Sequence, residues 1–461
     1  MSLFIMPPKS KVDIACEYAR ACKTLKKSQE DQIDDDDAHV NDISEIQNSN
    51  QYHDLEKTNA ADMVLGSFLS GTSYQACRTI IAASGKKPSS RSSFFEYQAT
   101  ILPKMENLGD ESTHDAMKES VCQGNTDFSQ DSRWSSHYNG LENTNAAIDA
   151  KTGKVVSVHN TLRSRTFRET SFNEASNMME SEGLRHIAND LKENYGDQTL
   201  AICHDGDNKS PKVFNSVGLN VEHHRDGGHA LNSIKNAFKA FKKEFYIKYG
   251  KRPFGSLDQR IFRFAGYLFS KIDSGNERVK LWKNAPNHFV GDHTNCSHPR
   301  KTRGRPSKNP CMVEEDFEIW HPGIQFSFYK DSLQSFFDDT SDILFYGSYR
   351  FTTTRNESFN ATVNTLVPKR IDFRSSYSAR TAIAIGRTND PDFDEKVINT
   401  ISPNINPQSK ELLLCYQQER NQMKEKRSTT LEKNKRKKKS IMKKRGKIRN
   451  TPGDYNEKKH E

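Results

Sequence analysis

The stretch Thr199-Leu200-Ala201-Ile202-Cys203-His204-Asp205-Gly206-Asp207 decides the fold of this chain. Its first five residues read as a buried-type strand that runs straight into a polar turn. Upstream, Met179, Leu184, Ile187 and Leu191 mark a helix that ends near Tyr195-Gly196. Before that, Ala146-Ala147-Ile148-Asp149-Ala150 and Val155-Val156-Ser157-Val158 are strand-like runs joined by Lys151-Thr152-Gly153-Lys154, a hairpin with a glycine in its loop. Hairpin, helix and strand in this order predict a mixed α/β sheet covered by helices.

Downstream lies an insert that reads as mostly helical. Leu231, Ile234, Phe238, Phe241 and Phe245 are spaced to fall on one stripe, with Lys235, Lys239, Lys242 and Lys243 on the remaining surface. That basic face is either a phosphate contact or a solvated surface. A second apolar segment, Leu257–Ile272, is followed by a Cys/His-rich loop, an aromatic-rich stretch from Phe326 to Tyr349 and a helix beginning near Asn356. On the N-terminal side, apolar residues from Met63 to Met117 recur at helical intervals, interrupted at Gly71 and at Lys86-Lys87-Pro88-Ser89-Ser90, and predict several short helices.

The whole chain has 461 residues, of which only 33% are hydrophobic. That length suits two or three domains, and the low apolar content predicts a folded middle with solvated ends. The expected divisions are a disordered tail over 1–55, with a short helix near Val12–Leu25, a helical region over 56–122, a sheet domain over 123–390 with its insertion at about 230–350, and a C-terminal helix and basic tail over 391–461. No apolar run approaches the roughly 18 residues of a membrane span, so a soluble intracellular protein is expected, with its eight cysteines as thiols or metal ligands.

The net charge is +9, from 69 Lys and Arg against 60 Asp and Glu. Between Lys424 and Arg449 there are 14 Lys/Arg against Glu425 and Glu432, a net 14 − 2 = +12, which leaves 9 − 12 = −3 for the rest. The run Lys435-Arg436-Lys437-Lys438-Lys439 reads as a nuclear-import signal or nucleic-acid contact, or as a merely solvated tail.

Three acids stand out by context. Asp131 precedes the hairpin, Asp205 closes the strand, and Glu357 lies at a helix start in Asn356-Glu357-Ser358-Phe359-Asn360. Taken singly, each reads as a surface carboxylate or a cap. Two strand-end aspartates and a glutamate on a covering helix can also converge on one point, and hard oxygen ligands of that kind suit Mg²⁺ or Mn²⁺ and phosphoryl chemistry.

The local sequence around these acids resembles the Mutator-like superfamily of DNA transposases. Gly66-Ser67-Phe68-Leu69-Ser70-Gly71-Thr72-Ser73-Tyr74 and Ser92-Ser93-Phe94-Phe95 are similar to the helical region before that family's catalytic domain. Asp131-Ser132-Arg133-Trp134 with Ile148-Asp149-Ala150-Lys151-Thr152-Gly153-Lys154-Val155 resembles its first-aspartate motif and hairpin. His204-Asp205-Gly206-Asp207 resembles the second motif, and Asn356–Asn360, then Val367-Pro368-Lys369 and Ala382-Ile383-Ala384, the third. The resemblance runs from about Leu65 to Asp390 and implies an RNase H-like fold with Asp131, Asp205 and Glu357 as metal-binding catalytic acids. Asp207 competes with Asp205 for the second position. Asp149 competes with Asp131, and the polar stretch Thr126–Gln130 makes a poor strand ahead of it.

The resemblance also points to a Cys-x-x-His or Asp-x-x-His pair, represented here by Asp226-Gly227-Gly228-His229. His229 is a candidate to donate to phosphate or move a proton, or else it caps the next helix, with Asp226 a candidate N-cap. In the insert, His288, His293, Cys296 and Cys311 resemble a Cys/His element that would suit Zn²⁺, the alternative being an unmetallated loop. Arg303-Gly304-Arg305-Pro306 resembles an AT-hook for the minor groove, or forms a flexible charged excursion.

What the resemblance implies is a nuclear, homo-oligomeric enzyme that acts on double-stranded DNA, at transposon ends and in the target, by metal-dependent cleavage and strand transfer. A catalytically inactive descendant acting as a nuclear DNA-binding protein, or a nuclease without strand transfer, would share much of this pattern.

Overall fold

The computed structural model describes residues 49–135, 140–163, 172, 174–206, 209–250, 257–289, 326–369, 371, 373–436, 438 and 442. The expected helix near Val12–Leu25 lies outside them. Within residues 55–461, a six-stranded sheet is the frame, in the order β3-β2-β1-β4-β5-β6. The strands are β1 (Asp127–Trp134), β2 (Glu142–Asp149), β3 (Val155–Leu162), β4 (Leu200–His204), β5 (Val221–Asp226) and the two-residue β6 (Gly347–Ser348). β1, β2 and β3 pair antiparallel, while β4 runs parallel to β1, β5 to β4 and β6 to β5. This mixed α/β sheet is the RNase H-like arrangement expected from the sequence.

The polar stretch that promised a poor strand is the centre of the sheet. β1 lies between β2, with which it pairs from Phe128 to Trp134, and β4, with which it pairs from Asp127 to Ser129, and it holds Ser129, Gln130 and Arg133 in burial. A central ladder position satisfies the backbone, so side-chain hydrophobicity is not required at every residue. The hairpin closes as expected, with Gly153 at φ +78° in its turn. β5 and β6 carry no apolar strand pattern. Val221-Glu222-His223-His224-Arg225-Asp226 is mostly polar, yet it pairs along its length with β4.

Helices cover both faces. α1 (Ser49–Ser70), α2 (Tyr74–Ala83) and α3 (Arg91–Cys122) precede the sheet, and α4 (Met179–Tyr195) and α5 (Lys209–Val217) follow β3 and β4. The insert comprises α6 (Gly227–Tyr249), α7 (Leu257–Lys271), α8 (Gly275–Lys283), α9 (Ala285–Phe289), α10 (Phe326–Asp339) and α11 (Ser341–Tyr346). α12 (Thr354–Leu366), α13 (Tyr377–Asn389), α14 (Phe393–Ile401) and α15 (Pro407–Ser428) complete the described elements. The basic run therefore begins on a helix, since Lys424, Lys426 and Arg427 lie within α15.

Strand alternation sorts the core. Phe128, Ala147, Leu200 and Ile202 face Leu184, Ile187 and Leu191 of α4 and Phe214 of α5. Ala146, Ile148 and Val155 belong to the opposite cluster, with Phe359 and Val363 of α12, Tyr377 and Ile383 of α13 and residues of α1 and α3. The insert has its own core, in which Ile234, Phe238 and Phe245 pack with Trp282, Phe336 and Phe337. Lys242 pairs with Asp258 at 3.3 Å and lies over the Phe238 ring, so one member of the expected basic face serves packing.

Between Met63 and Met117 the helices break at Gly71 and around Lys86–Ser90 as expected, but they are not all short, since α3 runs for 32 residues straight through Pro103. Gly109 within it is a contact point and not a breaker. A Cβ there would come 2.5 Å from that of Ala382, so the glycine lets α3 and α13 touch. Tertiary packing of this kind overrides local propensity. No helix of the described residues is long and apolar enough to cross a membrane.

Candidate active site

Four elements bring side chains together at the carboxyl end of β4. Asp131 lies within β1 on the face covered by α12. Its Oδ1 accepts from the Ser132 backbone N–H at 2.8 Å and its Oδ2 from Asn360 Nδ2 at 2.8 Å. Asp205 follows the last residue of β4, and its Oδ1 accepts from the Thr353 hydroxyl at 3.1 Å. Glu357 stands in the first turn of α12, exposed. His229 opens α6, and its Nε2 lies 3.6 Å from Asp205 Oδ1 and 3.7 Å from Glu357 Oε1.

Local structure explains why α12 presents these groups. Asn356, Phe359, Val363 and Leu366 recur at intervals of three and four and form its buried stripe. Glu357 and Asn360, three residues apart, share the flank of that stripe. Asn356 Nδ2 donates to the Ala146 carbonyl at 3.0 Å, which ties the helix start to β2 directly opposite Asp131. At the other end, the buried Arg133 guanidinium donates to Asn364 Oδ1 at 2.9 Å, the Val367 carbonyl at 2.6 Å and the Tyr377 hydroxyl at 2.9 Å. Two residues from Asp131 on the same strand face, Arg133 thus fixes the helix of Glu357 to the strand of Asp131. No feature of the sequence pattern announces this role for the arginine.

Asp226 joins the other two elements. Its Oδ1 accepts from the backbone N–H groups of Gly228 at 2.7 Å and His229 at 3.0 Å, the N-cap foreseen for it. Its Oδ2 accepts from the Thr353 N–H at 3.0 Å, so the same carboxylate also holds the entry to α12. Burial works to raise its pKa, but these N–H donors and the Thr352 hydroxyl outweigh it and hold it below the usual carboxylate range. Thr353, buried and touching both Asp205 and Asp226, is a site residue that no sequence pattern announced.

The acids repel one another. Burial pushes the Asp131 carboxyl up to about 7, the charge of Asp205 adds to the rise and that of Glu180 contributes further, while the Ser132 N–H and His229 oppose it. Partial burial also raises Asp205, with Asp226 and Glu357 adding to it and His229 and Thr353 acting against it. Asp149, the rival of Asp131, is differently employed. Fully buried, it accepts from Asn125 Nδ2 at 2.8 Å and from the N–H groups of Lys151 and Thr152, which makes it the clasp of the β2–β3 turn.

One expected outcome follows for protein stripped of divalent ions. An unfolded aspartate titrates at about 3.9, so between that pH and about 7 only the folded state holds the Asp131 proton. The contribution of Asp131 to stability is therefore largest in acid and falls as pH rises through this window, while buried His159, pulled down to about 4, contributes a slope of the opposite sign between about 4 and its ordinary value. With thermal midpoints measured in EDTA across the window, the parent should lose stability relative to Asp131→Asn as pH rises. An unchanged slope in the variant would remove Asp131 as its source.

Asp207 lies outside the described residues, as do His293, Cys296, Cys311 and Arg303-Gly304-Arg305-Pro306. His288 belongs to α9, and its side chain is not among those described. Among the described residues, no group of three or more His, Cys, Asp or Glu side chains is already arranged to hold a metal ion, and Cys77, Cys122, Cys203 and Cys415 are free thiols. Asp131, Asp205 and Glu357 are nonetheless hard oxygen donors directed to one region, the type that suits Mg²⁺ or Mn²⁺.

No curated protein matches the chain. The family model of Mutator-like transposases matches residues 14–302, a span that takes in β1 to β5, Asp131, Asp205 and His229 and ends before Glu357. With more than half of its length matched in this way, the chain belongs to the Mutator-like transposase family.

Proposed function

We propose that the protein is an active transposase that binds the ends of its element in the nucleus, cuts the phosphodiester backbone and joins the freed end to target DNA. The observation that carries this reading is the convergence of Asp131, Asp205, Glu357 and His229 from four separate elements, with Asp131 and Asp205 held above their ordinary pKa by burial and by neighbouring carboxylates. Carboxylates crowded in this way are completed by divalent cations.

Asp131, Asp205 and Glu357 would hold Mg²⁺ or Mn²⁺. Bound there, the ions supply activation of the attacking water and stabilisation of the departing oxygen. The protein's own groups do the rest. Asn360 and the Ser132 N–H orient Asp131, Thr353 orients Asp205, and Asp226 sets His229 and the start of α12 in register. His229, within reach of two of the acids, is positioned to donate to a phosphate oxygen or take up a proton. In cleavage the water oxygen bonds to phosphorus and the bond to the 3′ oxygen breaks, leaving a 3′ hydroxyl and a 5′ phosphate. In joining, that hydroxyl attacks a target phosphate and displaces its 3′ oxygen.

The test is to incubate the purified chain with linear DNA carrying the element's ends, with Mg²⁺ or Mn²⁺, and to resolve the products. End-specific nicks and joined molecules are the expected result, and Glu357→Gln should yield neither. Cleavage without joining would make the protein a nuclease. Binding with no metal-dependent product would leave only a DNA-binding descendant.

A further inference from the structure

The loop that carries Asp205 has a second side. Register pairs His204 with Arg225 and Ile202 with His223, so His204, His223 and Arg225 share the face of the sheet opposite Asp205 and Asp226. The pleat thereby separates acids from bases over a single residue step. On that opposite face, a cavity of about 390 Å³ opens between α5 and α11, lined by His204, His223, Arg225, Lys212, Tyr346 and the acid Asp342 among others.

Its donors are arranged by the local fold. The Gly206 N–H donates to His204 Nδ1 at 3.1 Å, which leaves Nε2 as the protonated nitrogen of the neutral ring. Arg225 Nη2 donates to the Ser233 hydroxyl at 2.9 Å, which anchors the guanidinium to α6. Gly206, at φ +87°, lies so close that a Cβ there would come 1.9 Å from Arg225 Nε. The arginine is thus held flat beneath the loop of Asp205, while Lys212 and Tyr346 stand exposed at the rim. One anchored and one exposed cation, two imidazoles and a phenol against one carboxylate make a site for an anion.

We propose that this cavity binds a backbone phosphate of the DNA strand that crosses the carboxyl ends of β4 and β5, a linkage neighbouring the one held over Asp205. The assignment rests on the strand-cleaving reading above, since a strand held over Asp205 and continued across the carboxyl end of β4 would meet the cavity on the other face of the sheet. Phosphate bound there would set the register of the strand without reading its sequence. A free phosphate or nucleotide has the same chemistry and is separated by experiment.

The measurement is equilibrium binding of a fluorescent short single-stranded oligonucleotide over a salt series, without divalent ions, so that no turnover is needed. Lys212→Ala and Arg225→Gln should each weaken binding several-fold and lower the slope of log affinity against log salt by about one phosphate contact. Lys118→Ala, an exposed lysine on α3 outside the cavity, should do neither. Unfolding midpoints identify any variant whose loss reflects misfolding, and Lys212, being exposed, gives the decisive result.

Inorganic phosphate and a mononucleotide should compete only weakly. If either binds as tightly as the oligonucleotide and depends on Lys212, the pocket serves a free anion and the DNA assignment falls. Unchanged affinity and slope in both cavity variants overturn the proposal altogether. A protein that shows the expected pattern yet cuts no DNA would fail as a strand-cleaving enzyme and keep this site.

Discussion

Asp205→Asn is expected to reduce metal-dependent cleavage by on the order of 10³-fold or more, about 4 kcal/mol of transition-state stabilisation, without unfolding the protein. The substitution is nearly isosteric, and the Thr353 hydroxyl that donates to Oδ1 at 3.1 Å can donate equally to an amide oxygen. What is lost is a formal charge and a hard anionic ligand. That same charge helps to hold the Asp131 carboxyl near 7, so its removal lets Asp131 ionise more easily. Metal-free Asp205→Asn should therefore melt no lower than the parent while its activity disappears. The pairing of the two readouts is the diagnostic, because a structural acid would lose stability along with activity. Cleavage within tenfold of the parent rate would remove Asp205 from the chemistry.

Arg380→Ala is expected to cost about 3–5 kcal/mol of folding stability, a large part of the roughly 5–15 kcal/mol that a domain possesses. The side chain is 1% exposed and lies between the rings of Phe68 and Phe373, 4.6 and 4.1 Å from their centroids. Its nitrogens donate to the Ser67 carbonyl at 2.9 Å, the Ser67 hydroxyl at 2.6 Å, the Leu366 carbonyl at 3.3 Å, the Thr72 carbonyl at 3.4 Å and the Ser376 hydroxyl at 3.0 Å. None of these partners is a carboxylate, and burial pulls the guanidinium down to about 9, still charged at neutral pH. Truncation would strand several buried acceptors and open a void between two aromatic rings. Arg380→Lys should recover only a minor share, since an ammonium has no planar fork to stack or to span α1 and α12 together. Denaturant midpoints measure both, and a loss below about 1 kcal/mol for Arg380→Ala would show that the acceptors find other donors.

The two polar strands show where sequence patterning stops being informative. The hairpin, α4 and β4 are legible because they bury apolar side chains at the expected period, down to Gly196, which closes α4 at φ +61°. β1 and β5 are not, because strands whose carboxyl ends build sites carry the residues of those sites. Asp131 and Arg133 in one, and His223, Arg225 and Asp226 in the other, take positions that periodicity would assign to valine or isoleucine. Motif resemblance found Asp131, Asp205, Glu357 and His229 as individuals. It had no means of finding Thr353, Asn360 or Arg133 as their supports, since contacts spanning up to 234 residues of sequence are visible only in three dimensions.

The insert leaves the sheet at Asp226 and comes back at Gly347–Ser348, which pair with Arg225 and Asp226, and by Thr353 the chain is hydrogen-bonded to the residue from which it departed. Exit and return are therefore nearly the same point in space. A loop pinned at both ends in this way can change length at little thermodynamic cost, about 0.6 kcal/mol for each doubling. Glu357 is thereby insulated from whatever happens to the intervening segment. Related chains could lengthen, shorten or exchange that segment while keeping one unaltered arrangement of Asp131, Asp205 and Glu357.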